Sequence, residues 1–321
     1  MDNLPLISII TTTYRRFDTL YNTIKSVLKQ DYPYIEYIVS DDGSDNFPEK
    51  DIREYIESNK RENIIEYKII HHENNIGTVR NMNNAYKMAK GDYFINLSGD
   101  DVFMGNSVVS KIITHFLKKD CDVLVTSRLV VDDKDKPVCF LPHIRERKLI
   151  ESLSTGKQQY YSYLKDEFYD MASGSAMYFS RRIMKQMNYY DESFRLWEDG
   201  PFIIDYTWRG KIECLYSIVS IRYQNNGISS NESKKTTYSK GLLEDAKKVS
   251  NGKLFDHYDE LPKRIKRYVD YNKALSNVSG SKKIKVYLKY VDVSLSHFIY
   301  KIHRKRNLNY DIKWINRKQV K

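Results

Sequence analysis

The sequence predicts an α/β fold, in which a mostly parallel sheet is covered by helices, followed by a basic helical C-terminal region. Short β-branched runs alternate with amphipathic segments over the first third of the chain. Pairs of aspartates follow two of those runs, and positive charge is concentrated at the end of the chain. Residues 253–321 hold 18 of the 53 Lys and Arg residues but 6 of the 42 acidic ones. This asymmetry indicates a basic appendage that faces an anionic partner.

Each of the first elements has its own pattern. The apolar runs predict parallel strands, because strands buried on both faces are almost continuously hydrophobic. The intervening segments place apolar residues three or four positions apart, as in helices that cover a sheet. The predicted strands are Leu6–Ile10, Ile35–Val39, Ile64–Ile70, Tyr93–Leu97 and Val123–Ser127. The predicted helices are one over Leu20–Leu28 with Asp18 as its cap, and Pro48–Ser58, Thr78–Ala89 and Ser107–Leu117.

The middle of the chain is less regular. Residues 134–170 predict loops and short helices, and regular patterns return from Gly174 onward, with a helix through Trp208 and a strand from Ile212. A polar stretch over residues 227–239 is typical of a domain boundary. We therefore expect a nucleotide-binding and catalytic domain over residues 1–235 and a basic helical region over residues 236–321.

Two aspartate pairs, Asp41-Asp42 and Asp100-Asp101, stand at the ends of predicted strands. In open α/β sheets, ligands bind beyond the carboxyl ends of the strands. Adjacent carboxylates repel each other, and a divalent cation relieves that repulsion, so Asp100-Asp101 predicts half of a Mg²⁺ or Mn²⁺ and phosphate site. Asp41-Asp42 could hydrogen-bond a nucleobase or a ribose. The plain alternatives are a turn at Asp41-Asp42, where Gly43 allows a tight bend, and a cap at Asp100.

Several classes of protein are excluded. The chain has no GxGxxG after its first strand, no P-loop, no HExxH and no GxSxG. No run approaches the ~18 apolar residues of a membrane span, and the first residues do not resemble a secretory signal. The three cysteines are too scattered for a disulfide framework and predict reduced thiols in a cytoplasmic protein.

Taken together, these segments resemble the bacterial family 2 glycosyltransferases, which have the Rossmann-like GT-A fold. The resemblance covers roughly residues 5 to 230, and the motifs occur in the order of the family. The matching strings are residues 7–14 (ISIITTTY), 27–33 (VLKQDYP), 36–45, 75–81 (NIGTVRN), 91–101 and Trp197-Glu198-Asp199.

The resemblance implies a metal-dependent transfer of a hexosyl or N-acetylhexosaminyl group from a UDP-sugar, with inversion at the anomeric carbon. The acceptor would be a glycan or a lipid-linked molecule in the synthesis of a surface polysaccharide such as a capsule. By position, the donor's nucleotide would meet Thr12, Tyr14, Asp41, Asp42, Arg80 and Asp100. Asp101 would ligate Mn²⁺ or Mg²⁺, Asp199 would be the general base with Glu198 in support, and Gly174 and Ser175 would line the acceptor side.

The chain departs from the family pattern at three places. Many relatives carry an Asp where Ser98 stands and an Asn where Arg15 stands. Some relatives add a His as a metal ligand near the end of this domain, whereas residues 223–227 (YQNNG) contain none. The resemblance therefore implies a metal with one protein ligand.

The C-terminal region has an amphipathic pattern whose partner the sequence leaves open. Basic residues surround an apolar stripe, which we call the C-terminal stripe: Ile284, Tyr287, Leu288, Val291, Leu295, Phe298 and Ile302. One hypothesis is peripheral docking on the inner face of the cell membrane. The alternative is packing on the catalytic domain or on a partner subunit. Two further alternatives are a basic tail that binds nucleic acid, for which no recognised motif is present, and a nucleotide-binding module without transferase activity.

Overall fold

The computed structural model describes residues 4–167, 171–224 and 237–319. Within these residues nine strands, numbered in chain order with the ranges given next, form one sheet in the order β3-β2-β1-β4-β8-β6-β9-β5, with β7 paired to β6. The strands are β1 Ile7–Thr13, β2 Ile35–Asp41, β3 Ile64–His71, β4 Tyr93–Asn96, β5 Val102–Phe103, β6 Val123–Val131, β7 Pro137–Leu141, β8 Met177–Ser180 and β9 Glu213–Gln224.

Half of the sheet is parallel, as the sequence predicts. β1 pairs in parallel with β2 and β4, and β2 pairs in parallel with β3. The register aligns Thr13 with Asp41, so the first aspartate pair, at the end of β2, lies beside the end of β1. The alternation of apolar residues in these strands supplies both faces of the sheet with side chains.

The other half of the sheet is mixed. β8 runs antiparallel to both β4 and β6, β6 pairs in parallel with β9, and β5 is antiparallel to β9. The sequence patterns did not predict this reversal. Its consequence is that the segment before β8, Gly174–Ala176, lies beside the carboxyl end of β4.

The helices of the first part cover the two faces of the sheet. One core joins alternate residues of β1 and β2, such as Ile9 and Tyr37, to α1, α2 and α4. A second core joins Ile10 and Ile38 to helices on the opposite face. The helices are α1 Phe17–Leu28, α2 Glu49–Asn59, α3 Thr78–Met88, α4 Val108–Lys119, α5 Ile144–Glu151, α6 Gly156–Leu164, α7 Arg181–Gln186 and α8 Asp199–Arg209.

Four helices follow in the basic region: α9 Thr237–Asn251, α10 Lys263–Ser276, α11 Lys282–Lys289 and α12 Val291–Gln319. α9 and α10 contribute Val249, Ile265 and Val269 to the second core, which also holds Ile10 and Ile38 of the sheet. The expected boundary between residues 235 and 236 lies outside the described residues. The C-terminal region thus shares a core with the sheet and is more than an appendage.

One local expectation was wrong, a second held only in part, and the C-terminal stripe has a form that its pattern did not specify. Asp18 does not cap α1, which begins at Phe17 with Arg16 at its N-cap position. Within residues 134–170, β7 completes an antiparallel hairpin with β6, and the described remainder includes α5 and α6. The C-terminal stripe spans two helices, because the backbone of Tyr290 leaves helical geometry between α11 and α12.

Candidate functional site

The end of β1 brings two loops together. The amide of Asp42 donates to the carbonyl of Thr13 at 2.9 Å, and the amide of Gly99 donates to the carbonyl of Thr12 at 2.9 Å. The two aspartate pairs therefore flank a single strand end, as their positions in the sequence predict. Thr12 and Tyr14, which the resemblance places beside the nucleobase, lie half-buried in the same place.

Asp42 is held by the loop before α3. Its Oδ1 accepts from the amides of Ile76 at 2.8 Å and Gly77 at 3.1 Å, and its Oδ2 accepts from the Asn75 side chain at 2.9 Å. Burial raises the pKa of the Asp42 carboxyl, and these amides and Arg195 oppose the rise. The Gly77 amide is shared with Oδ2 at 3.2 Å, so each oxygen already accepts two hydrogen bonds and Asp42 would have to exchange one of them to bind a base or ribose.

Asp41 shapes the turn. Its fully buried carboxylate accepts from the amide and hydroxyl of Ser44 at 2.7 Å and 2.6 Å, and His71 Nδ1 lies 2.9 Å away. Gly43 bends the chain with a φ of +71°, where an added Cβ would collide with the backbone of Asn74. The turn expected as the plain alternative for this pair is therefore present at Asp41.

Asp101 lies at the bottom of the second loop. Asp101 is 2% exposed, and its Oδ1 is buried with no hydrogen-bond partner among the described residues. Burial raises the pKa of Asp101 to about 8, and the neighbouring Asp100 carboxylate adds to the rise. Burial also raises the pKa of Asp100, against the attraction of Arg16. A buried carboxylate without a partner is costly unless the group stays protonated or a cation binds.

That orphaned oxygen fits a divalent cation. Hard carboxylate oxygens suit Mg²⁺ and Mn²⁺, which often use one or two carboxylates and complete their shell with water and substrate phosphates. The described residues contain no cluster of three or more His, Cys, Asp or Glu side chains that could hold a metal. A cation here would thus depend on Asp101, with Asp100 beside it, and on ligands from the substrate.

The third group consists of Glu198 and Asp199, at the start of α8. Asp199 Oδ1 accepts from Trp197 Nε1 at 2.8 Å, and Oδ2 accepts from the amide of Gly174 at 3.0 Å. Burial raises the pKa of Asp199, and these donors and Arg128 oppose the rise. Burial, followed by repulsion from Asp199, raises the pKa of Glu198 to about 8.

Gly174 and Ser175 connect the last two groups. The Ser175 hydroxyl lies 2.7 Å from the Ser98 hydroxyl and favours the charged form of Asp101. A Cβ on Gly174 would lie 2.6 Å from Glu198 Oε1. The segment before β8 therefore packs between the Asp101 loop and the start of α8, so the predicted metal ligand and the predicted base belong to one site.

Arg128 is a member of this site that the resemblance did not supply. It stands in β6, it is 9% exposed, and its charge lowers the pKa of both Asp101 and Asp199. Among the described residues, no carboxylate lies within ion-pair distance of its guanidinium, which lies over the Tyr223 ring at 5.5 Å. The sequence feature that could have revealed Arg128 is a single charge within an otherwise uncharged strand, residues 123–131 (VLVTSRLVV).

Arg80 lies apart from the other predicted site residues. Its side chain is 60% exposed on α3, and its Nε lies 3.7 Å from Glu192. The arginine near Asp42 is instead Arg195, which donates to the Asn75 side chain at 2.7 Å. Sequence reasoning missed Arg195 because it lies far along the chain from the loop that it contacts.

A cavity of about 380 Å³ lies on the other side of Trp197. Its walls come from α6 and the residues after it, and from the C-terminal helices α9, α10 and α11. They include Tyr163, Glu167, Asn272 and Lys283. Trp197 lines this cavity and also donates to Asp199, so the cavity adjoins the predicted base.

The chain belongs to glycosyl transferase family 2, whose family model matches residues 8–187. A Haemophilus influenzae protein described as an uncharacterized glycosyltransferase is 31% identical over 120 residues, which cover 37% of this chain and 35% of that protein. The Escherichia coli UDP-Glc:alpha-D-GlcNAc-diphosphoundecaprenol beta-1,3-glucosyltransferase WfaP is 34% identical over 119 residues, 36% of this chain and 43% of that protein. The chain thus spans less than half the length of these relatives.

Two solved structures share the fold over most of the chain. Staphylococcus aureus TarS 1-349 in complex with UDP-GlcNAc has a TM-score of 0.59 at 16% identity, covering 90% of this chain and 81% of TarS 1-349. The mannosyltransferase PcManGT of Pyrobaculum calidifontis, in complex with GDP-Man and Mn²⁺, has a TM-score of 0.54 at 11% identity, covering 98% and 88%. The fold is therefore the expected GT-A fold with a helical C-terminal region.

Proposed function

We propose that the protein is an inverting glycosyltransferase that moves a hexosyl or N-acetylhexosaminyl group from a UDP-sugar to a glycan or lipid-linked acceptor in surface polysaccharide biosynthesis. One observation carries the proposal. A buried carboxylate with an orphaned oxygen, Asp101, and a carboxylate at a helix start, Asp199, share one site at the carboxyl end of the sheet. Family membership and the donor sugar in the TarS complex support it.

The donor's nucleotide would lie over the end of β1. Thr12, Tyr14 and Asp42 would meet the base and ribose, with Asp41 holding the turn. Asp100 would contact the ribose. Arg80 would reach the base or diphosphate only by leaving Glu192, so we assign it the weakest part in donor binding.

Asp101 would hold Mn²⁺ or Mg²⁺, with Asp100 adjacent. The Mn²⁺ in the PcManGT complex supports a metal in this fold. A bound cation would stabilise, as a Lewis acid, the negative charge that develops on the departing diphosphate. Arg128 supplies a second, permanent positive charge on the same side of the site.

The environments of Glu198 and Asp199 support different roles for the two residues. A sugar hydroxyl is a poor nucleophile at neutral pH, so a carboxylate must take its proton as it attacks the anomeric carbon. Asp199 has the Trp197 and Gly174 donors and the N-terminus of α8 to stabilise its charged form. Glu198, with a pKa of about 8, carries the proton of the pair at pH 7. Asp199 is therefore the base, and Glu198 supports its position.

The cavity beside Trp197 is the acceptor's approach in this proposal. An aromatic ring, a carboxylate such as Glu167 and an amide such as Asn272 are the groups that bind the apolar faces and hydroxyls of a sugar ring. We also place the reaction in the cytoplasm, beside the inner face of the cell membrane, where a lipid-linked acceptor would be found. No helix in the described ranges is long and apolar enough to cross a bilayer.

A UDP-release assay with a panel of UDP-sugars and Mn²⁺, with and without EDTA, tests the function. We expect one donor to be turned over and EDTA to abolish the release of UDP. Asp199→Asn should lower the rate by about 10²–10⁴-fold, the usual contribution of a general base, while UDP binding is kept. The matched control is Asp191→Asn, which makes the same change at a residue exposed outside the site.

Two outcomes contradict the proposal. Normal turnover by Asp199→Asn would place the base elsewhere. If no donor is consumed although UDP binds, the nucleotide-binding alternative without transferase activity replaces it.

A further inference from the structure

Among the described residues, the largest group of exposed apolar side chains lies on α11 and α12. Every member of the C-terminal stripe is solvent-exposed, from 39% at Ile302 to 72% at Leu288, and Ile299 adds 46%. Val291, Leu295, Phe298 and Ile302 stand at helical spacing on one face of α12. Scattered exposed hydrophobic residues are ordinary, but a contiguous row of this kind marks an interaction surface.

The opposite faces of these helices are already in use. Val286, Tyr290 and Val293 are buried against Tyr268 and Tyr271 of α10. The orientation of α11 and α12 is therefore set by packing, and the C-terminal stripe is left facing outward. Of the alternatives for the stripe, packing on the catalytic domain is thus excluded for the described residues, and a partner subunit or a membrane is left.

Positive charge surrounds this surface. Eight basic residues, which we call the basic flank, lie within residues 282–306: Lys282, Lys283, Lys285, Lys289, Lys301, Arg304, Lys305 and Arg306. The one acidic residue in that range, Asp292, is paired with Arg267 at 2.9 Å. A twofold contact between two copies of this chain would bring the two basic flanks together, which electrostatic repulsion disfavours.

We propose that the C-terminal stripe and the basic flank form a docking face for an anionic lipid bilayer. Apolar side chains would enter the boundary between headgroups and acyl chains, while the lysines and arginines meet the phosphates. This role rests on the proposed function, because the docking face would bring the enzyme to a lipid-linked acceptor. The binding itself does not depend on catalysis, so the two can be tested separately.

The test is flotation of the full chain with vesicles at ~150 mM salt, where surface electrostatics are partly screened. One set of vesicles is phosphatidylcholine alone and the other contains phosphatidylglycerol. We expect binding to the phosphatidylglycerol vesicles and little binding to phosphatidylcholine. Leu288→Ser with Phe298→Ser, which keeps the charge, should weaken binding more than tenfold. Lys285→Gln with Lys289→Gln should weaken it severalfold.

Controls make changes of the same kind at exposed positions elsewhere. Ile65→Ser with Leu149→Ser removes two exposed apolar side chains from β3 and α5, and Lys50→Gln removes an exposed charge from α2. Both should bind vesicles like the unchanged protein. Release of UDP from a soluble donor should be unchanged in every variant, because none of these residues belongs to the site.

Three results would overturn the docking face. The first is equal binding to the two kinds of vesicle, and the second is full binding by the Leu288/Phe298 variant. The third is that the unchanged protein binds no vesicles but forms a dimer in light scattering, and that the Leu288/Phe298 variant is monomeric. If vesicle binding is lost but UDP release persists, the docking proposal alone fails. If vesicle binding follows the prediction and no donor is consumed, the proposed function alone fails.

Discussion

A charged residue inside a hydrophobic strand can serve two different purposes in this chain. Glu36 in β2 is fully buried, and it accepts from Lys68 at 2.6 Å and from the Ser8 hydroxyl at 2.6 Å. That carboxylate is satisfied within the fold. Arg128 in β6 is nearly as buried, but the described residues give it no ion-pair partner. A buried charge that the fold leaves unpaired indicates a place where a ligand of opposite charge binds.

We therefore expect Arg128→Gln to lower kcat/KM for the donor by about 10–100-fold, the range that the loss of a charge-assisted contact of 1.5–3 kcal/mol gives. The acidic limb of the pH–rate profile should also move to higher pH. Arg128 lowers the pKa of Asp199, so its removal means that a higher pH is needed to ionise the base.

Two variants serve as controls for Arg128. Arg128→Lys keeps the charge and should leave the pH limb near its original position. Arg182→Gln, which removes an exposed arginine paired with Asp122, should change neither parameter. A pH profile that Arg128→Gln leaves unmoved would mean that Arg128 only fills space in the core.

Among the contacts that hold α12 against β7 and α5, the buried carboxylate of Asp311 makes the most hydrogen bonds. Asp311 is 0% exposed, and its Oδ2 accepts from the amide of Phe140 at 3.1 Å and lies 2.9 Å from His143 Nδ1. Its Oδ1 accepts from the amide of Ile144 at 3.2 Å. Asp311 thus links α12 by hydrogen bonds to β7 and to the start of α5.

Replacing Asp311 by alanine should lower the free energy of unfolding by about 3 kcal/mol, because buried donors lose their acceptor. Thermal or urea unfolding measures this change, and limited proteolysis shows whether α12 is released. Asp292→Ala on the same helix removes an exposed pair with Arg267 and should cost at most about 1 kcal/mol. Equal effects of the two changes would show that Asp311 does not attach the helix.

The comparison of sequence and structure shows which interactions can be read from a pattern. The parallel strands followed from local apolar runs, and the site at the end of β1 followed from Asp42 and Asp101 at strand ends. The antiparallel return of β8 was not predicted, because pairing between distant strands leaves no local period. Asp311 was missed for a related reason, since it acts on residues far away in the chain, whereas the charge of Arg128 within its strand was a local signal that was overlooked.

At the scale of the whole molecule, the catalytic part and the C-terminal region share their apolar core. Val249, Leu254, Leu261, Ile265 and Val269 pack in the same cluster as Met177 and Phe179 of β8. The nearly neutral first part of the chain and the basic C-terminal region therefore share one hydrophobic core, although their charge differs sharply.

A fragment ending at residue 235 should consequently not unfold cooperatively. It would expose the apolar surface that α9 and α10 cover, and each large buried side chain left in water costs about 1.5–3 kcal/mol. Circular dichroism during heating, compared with the full chain, measures this. A fragment that melts sharply at the temperature of the full chain would instead establish residues 1–235 as an independent domain.

The central claim is that the orphaned carboxylate of Asp101 binds a cation together with the donor's diphosphate. Calorimetric titration of the full chain with UDP in Mn²⁺, from pH 6 to pH 8, tests it most directly. Because burial and the neighbouring Asp100 raise the pKa of Asp101, a proton must leave when the cation binds, so affinity should rise steadily from pH 6 to pH 8. Asp101→Asn should abolish both the Mn²⁺ dependence and the pH dependence. UDP binding that is the same with and without Mn²⁺, and unchanged in Asp101→Asn, would contradict the account.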